Sequence, residues 1–83
     1  MPITIEKLGR VEAAEAMLQR EGFHQFRVRD HGDIARIEVG QDDISALLDA
    51  AKRSTIGAGF KELGFKFVTV DLEGYRPGGV SLG

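Results

Sequence analysis

Over residues 4–21 the apolar positions Leu8, Val11, Ala14 and Leu18 recur every three or four residues, which is one face of a helix. Met17 flanks that stripe, while Arg10, Glu12, Glu15 and Gln19 are expected to face water. Thr4 can cap the first turn, Ile3 and Leu8 can close a hydrophobic staple, and Glu6 suits the positive end of the dipole. Gly22 is the natural stop. The period then drops to two. Residues 23–29 read as a strand in which Phe26 and Val28 alternate with Arg27 and Arg29. Asp30, His31, Gly32 and Asp33 have turn chemistry. Residues 34–39 form a second strand with Ala35, Ile37 and Val39 on one face and Ile34, Arg36 and Glu38 on the other. The pair makes an antiparallel hairpin.

Helical spacing resumes after Gly40 through Ile44, Leu47, Leu48, Ala51, Ile56, Phe60 and Leu63, with Asp42 or Asp43 as cap. The spacing slips between Ala51 and Ile56, and Ser54, Thr55, Gly57 and Gly59 are weak helix formers, so a kink or two short helices is expected there. Gly64 ends the segment and residues 65–72, rich in aromatic and β-branched side chains, read as a third strand.

The order α-β-β-α-β predicts an α+β two-layer sandwich. A right-handed crossover suggests a three-stranded antiparallel sheet of order 2-1-3 with both helices on one face, a ferredoxin-like fold without its first strand. Residues 1–76 form the single expected domain, and 77–83 a flexible Gly/Pro tail. The uncovered sheet face carries Arg27, Arg29, Arg36 and Glu38, together with either Phe65 and Phe67 or Val68 and Val70. Such a face suggests a missing partner, and self-association through it is expected.

Composition narrows the function. Eleven Lys and Arg against 13 Asp and Glu give a net charge of −2, unlike the basic excess of a general nucleic-acid binder. The absence of cysteine removes disulfides, thiolate metal sites and a cysteine nucleophile. No apolar run approaches a membrane span and residues 1–10 lack an apolar signal core, so a cytoplasmic location is expected. Neither GxGxxG nor GxxxxGK[ST] occurs. His24 and His31 have no third ligand in register, so no metal site is expected, and nothing in the spacing supports a triad of Ser45, His31 and Asp33.

The densest chemistry is Arg27, Arg29 and Arg36 on one ribbon among Asp30, Asp33 and Glu38. Guanidinium groups so gathered can clamp a phosphate or carboxylate. The plain alternative is a solvated face with cross-strand ion pairs from Arg27 or Arg29 to Glu38. Tyr75 and Arg76, after the Gly74 turn, can likewise reach toward a ligand.

Three segments carry a resemblance: FRVRDHGDIARIEV, FKFVTVDLEGYRPG and the first helix PITIEKLGRVEAAEAMLQREGF. Together they resemble the C-terminal region of the PP-loop ATP-pyrophosphatase family of sacrificial sulfur transferases. The resemblance implies an ATP-dependent parent activity. Its best-known members adenylate the carboxylate of a pyridinium mononucleotide, and a protein cysteine then gives up its sulfur, in making the nickel-pincer nucleotide cofactor of lactate racemase. This chain lacks both the family's Ser-Gly-Gly-x-Asp-Ser loop and any cysteine. The resemblance therefore implies a domain that is not an enzyme on its own and holds no cofactor, excised or separately encoded, with Met1 just before the family-like Pro2-Ile3-Thr4.

The matching arginines of the R-x-R and G-Y-R motifs are Arg29 and Arg76, with Arg27 beside them. By resemblance they contact a substrate phosphate; Arg36, Glu38 and Tyr75 are the supporting candidates that the charged ribbon and the Gly74 turn themselves supply. Pro77-Gly78-Gly79 departs from the family's small polar continuation. The implied partners are further copies of the chain, a PP-loop ATP-pyrophosphatase domain in cis or trans, and weakly held phosphate or mononucleotide; nucleic acid and membrane are not expected. The rival expectation is a free-standing small-molecule-binding or regulatory α+β module.

Overall fold

The computed structural model describes residues 5–75, and side chains from residue 9 onward. The elements are α1 (Ile5–Arg20), β1 (Phe26–Asp30), β2 (Ile34–Val39), α2 (Ile44–Leu47), α3 (Ala50–Glu62) and β3 (Phe67–Val70), with a 3-10 turn at Gln41–Asp43 leading into α2. This is the α+β architecture expected. The Thr4 cap, the Ile3 staple, Arg76 and the Gly/Pro tail lie outside the described residues.

Helix α1 forms where Ala13, Ala14, Ala16 and Leu18 concentrate helix propensity. Gly22, at φ +99°, ends it. The buried core is one cluster in which Ala14 and Leu18 of α1 meet Val28, Ala35, Ile37 and Val39 of the sheet and Ile56 and Phe60 of α3. Both long helices thus cover the sheet face assigned by the two-residue alternation of β1 and β2. The opposite face carries Arg27, Arg29, Ile34, Arg36, Glu38, Phe67 and Thr69.

The strand order is β1-β2-β3, with β1 antiparallel and β3 parallel to β2. The expected order 2-1-3 and the all-antiparallel sheet are therefore corrected. The direction of β3 is as expected; its neighbour is not. The outer edge of β1 is already occupied. The outward-facing amide of Val28 donates to Glu15 Oε2 of α1 at 3.2 Å. Beside it, the Arg10 guanidinium forks onto Asp30, with Nη2 at 2.7 and 2.8 Å and Nε at 3.2 Å from the carboxylate. Arg10 also donates to the Gly32 carbonyl at 2.9 Å and lies 3.9 Å over the ring of Phe65. With α1 tied across that edge, the crossover through α3 returns β3 to the free edge of β2. There Lys66 and Phe67 donate to the Asp33 carbonyl and Asp71 to Ile37.

Other departures have local causes. Arg10, expected to face water, is largely buried in its ion pair. Helices α2 and α3 are separate as one alternative held, but the break falls at Leu48–Asp49, upstream of the glycines. Asp49 takes extended backbone angles and its carboxylate accepts the Ala51 amide at 3.2 Å, so it caps α3. Neither Asp42 nor Asp43 caps by its side chain. Gly59 lies within α3 where a Cβ would stand 2.6 Å from Met17 Sδ, so its missing side chain lets α1 approach. Phe65 precedes β3 and is buried against Phe60, with ring centroids 6.0 Å apart. Of the four aromatic and valine candidates for the open face only Phe67 is there, 60% exposed, while Val68 and Val70 pack toward the helices.

Removing one partner of a shielded pair strands the other. Arg10→Ala is expected to lower the unfolding free energy by about 2–4 kcal/mol. Arg10→Lys should recover less than half of that loss, because an ammonium cannot reproduce the fork. Urea denaturation of the three proteins checks this.

Candidate functional site

Register brings the charged residues of the open face together. Arg29 stands directly opposite Arg36, Arg27 opposite Glu38, and Arg36 in turn beside Thr69 of β3. Two arginines paired across strands repel each other. Glu38, two residues along from Arg36 and so on the same face, resolves the repulsion. Its Oε2 accepts from Arg36 Nη2 at 3.2 Å and from Arg29 Nε at 3.4 Å. Glu38 is only 6% exposed, so its charge is buried under the two guanidiniums.

The arginines are not used up by this contact. A guanidinium carries five N–H donors, and each spends one on Glu38. Their side chains remain about a third exposed, at 36% for Arg29 and 33% for Arg36. Among the described residues Arg36 Nε is buried without a hydrogen-bond partner; Asp71 Oδ2, 3.9 Å away, is beyond reach. Arg27 is exposed and makes no ion pair among the described residues. The cross-strand ion pair is therefore present, from Arg29 to Glu38, and Arg36 joins it, so that two guanidiniums meet on one carboxylate with more donors than that contact uses.

The segment after β3 closes one end of this face. Asp71 makes an Asx turn, its Oδ1 accepting from Glu73 N at 2.9 Å and its carbonyl from Gly74 N at 3.1 Å. Gly74 has φ +82°, and a Cβ there would stand 2.6 Å from the Val39 carbonyl oxygen. Beyond the turn Tyr75 N donates to that same carbonyl at 2.6 Å, and Gln41 Nε2 donates to the Glu73 carbonyl. Because β3 runs parallel to β2, Tyr75 leaves the sheet at the Phe26–Val39 end. Arg76 lies outside the described residues. The described cluster is Arg29 with Arg36, oriented by Glu38. Arg36 stands as Arg29's direct partner, a pairing that hairpin register alone could have disclosed. Among the described residues no three His, Asp or Glu side chains group as metal ligands, and no helix is long and apolar enough to cross a membrane.

Fold and face together define a small α+β module with an arginine-bearing open sheet. No protein-family model matches the chain. Three curated proteins are similar to it over most of its length. An uncharacterised protein of Synechocystis is 42% identical over 76 residues, 92% of this chain. Pyridinium-3,5-bisthiocarboxylic acid mononucleotide synthase of Lactiplantibacillus plantarum is 41% identical over 76 residues, also 92% of the chain. An uncharacterised protein of Methanocaldococcus jannaschii is 38% identical over 74 residues, 89% of the chain. The chain spans just over a quarter of these relatives, 28%, 27% and 28% of their lengths.

The Gly74 turn is a local clasp with a local readout. Gly74→Ala forces a side chain into left-handed backbone and against a carbonyl, at a cost of about 1–3 kcal/mol to that turn. The Tyr75 amide is expected to lose protection in hydrogen exchange while the Val28 amide keeps its own.

Proposed function

We propose that the chain is a non-catalytic accessory domain, equivalent to the C-terminal part of a PP-loop sulfur transferase, that offers a phosphate contact to the substrate of an ATP-pyrophosphatase domain. The observation that carries this reading is the Arg29–Arg36 pair held by Glu38. It is supported by 41% identity across nearly all of the chain to a synthase named for a mononucleotide, which carries a phosphate. Planar guanidiniums gathered at one carboxylate keep further N–H donors, and such donors, offered in pairs, are what phosphate oxygens accept best. Glu38 positions them and offsets one of their charges, so the site binds an anion without gathering three repelling cations. In this reading Arg76 joins from the tail and Tyr75 supports it. The exposed Phe67 on the same face is where a further copy of the chain or the ATP-pyrophosphatase domain docks.

The contact is weak when isolated, since exposed ion pairs contribute about 1 kcal/mol or less each. NMR titration of the chain with inorganic phosphate is expected to shift the amides around Arg29 and Arg36 at millimolar ligand. Arg29→Ala and Arg36→Ala should each weaken binding by about three- to tenfold, and added salt should weaken it further. Unshifted amides overturn the phosphate contact. The same preparation is expected to form no AMP from ATP with a pyridinium mononucleotide carboxylate; stoichiometric AMP would overturn the non-catalytic reading.

A further inference from the structure

A concave feature runs along the outer edge of β3, mostly on the helix side of the sheet and reaching Phe67 and Thr69 at the border of the open face. Between α3 and the outer edge of β3 lies a groove of about 440 Å³, within the size range of small-molecule sites, about 300–1,000 Å³. Ile37, Leu47, Ile56, Val68 and Val70 form its apolar walls. Arg53, Lys61 and Lys66 stand around it, and among the described residues no acidic side chain lines it. Arg53 and Lys61 make no ion pair among the described residues, and Lys66 reaches Asp33 only at 3.8 Å with both side chains mostly exposed.

Gly57 opens into this groove from the middle of α3. Glycine is the poorest helix former after proline, so a mid-helix glycine calls for a reason. For Gly59 the reason is visible, because α1 passes over it. Among the described residues nothing lies within 4 Å of where a Cβ on Gly57 would be, so the groove is open there and a larger side chain at this position would enter it.

We infer that this groove binds an amphipathic small-molecule anion, an apolar chain against the valines and Ile56 with a carboxylate or phosphate head among Arg53, Lys61 and Lys66. Apolar walls bury the chain, and a rim of one sign selects the head. A partner strand fits less well, because the strand edge offered is four residues long.

The test is an NMR titration of the chain with three probes below micelle-forming concentrations: decanoate, decyltrimethylammonium and inorganic phosphate. Decanoate is expected to shift the amides of Gly57, Lys61, Val68 and Val70 saturably. The cationic amphiphile of equal chain length should bind at least about tenfold more weakly, and phosphate alone should leave these amides unmoved whether or not it shifts those at Arg29. Gly57→Leu fills the groove and should abolish the decanoate response. Lys61→Glu, an exposed change, should weaken decanoate and not the cationic amphiphile. Unmoved groove amides, equal binding of both amphiphiles, or undiminished binding by the Gly57→Leu protein overturns the inference. So does sedimentation in which Gly57→Leu converts a self-associating chain to monomer while decanoate has no effect, because the occupant is then a second copy.

Discussion

Three parts of the chain far apart in sequence meet at the Arg10 guanidinium. It forks onto Asp30 at the end of β1, bonds the Gly32 carbonyl in the hairpin turn, and covers the face of Phe65 just before β3. Asp30 also accepts the Gly32 amide at 2.8 Å, so one carboxylate holds both the helix and the turn. Desolvating a guanidinium is expensive, and the ion pair repays it only because several hydrogen bonds and an aromatic face are supplied together. Remove any one element and the others lose their reason to be buried. With α1 fixed across the outer edge of β1, that edge is closed, and β3 is left the other side of β2.

The functional face follows from that placement. Making β2 central puts Arg36 in a row between Arg29 and Thr69 and brings Asp71 toward it. Had β3 paired with β1, Arg29 would have taken the middle of the row and Arg36 an edge. Glu38 is then the residue on which the arrangement turns. A carboxylate buried at the centre of a sheet face is costly alone, and two cations directly opposite each other are costly alone. Each removes the other's cost, and the guanidiniums are left in fixed positions with donors to spare.

The parts legible in the sequence are those that depend on near neighbours. The alternation in residues 26–39 determines which side chains share a face, and the structure keeps that division. Gly22 stops α1 because its requirement is local. What was not legible depends on contacts distant along the chain. Arg10 borders the apolar stripe and reads as solvent-facing, since arginines usually are; only its meeting with Asp30 and Phe65 buries it. The run from Phe65 to Val70 offers two phases, and the choice rests on Phe65 leaving the strand to pack on Phe60. The glycines of α3 read as helix weakness, whereas the helix runs unbroken through both and its start is set by the Asp49 cap.

Net charge is a poor guide to where this domain meets anions. The chain carries −2 overall, yet its open sheet face and its apolar groove both present cations. The difference lies in how the acids are spent. Glu15 holds an edge amide, Asp30 and Glu38 are enclosed by guanidiniums, and Asp49 and Asp71 satisfy backbone donors. The two that face guanidiniums, Asp30 and Glu38, contribute little outward field, because the opposite charge stands at hydrogen-bond distance and screening removes the remainder within about 8–10 Å. Arg27, Arg53 and Lys61 have no such partner among the described residues, so their charge reaches solvent. An acidic chain can thus carry local cation-bearing surfaces without any basic excess, where bases without an acidic partner gather apart from the acids.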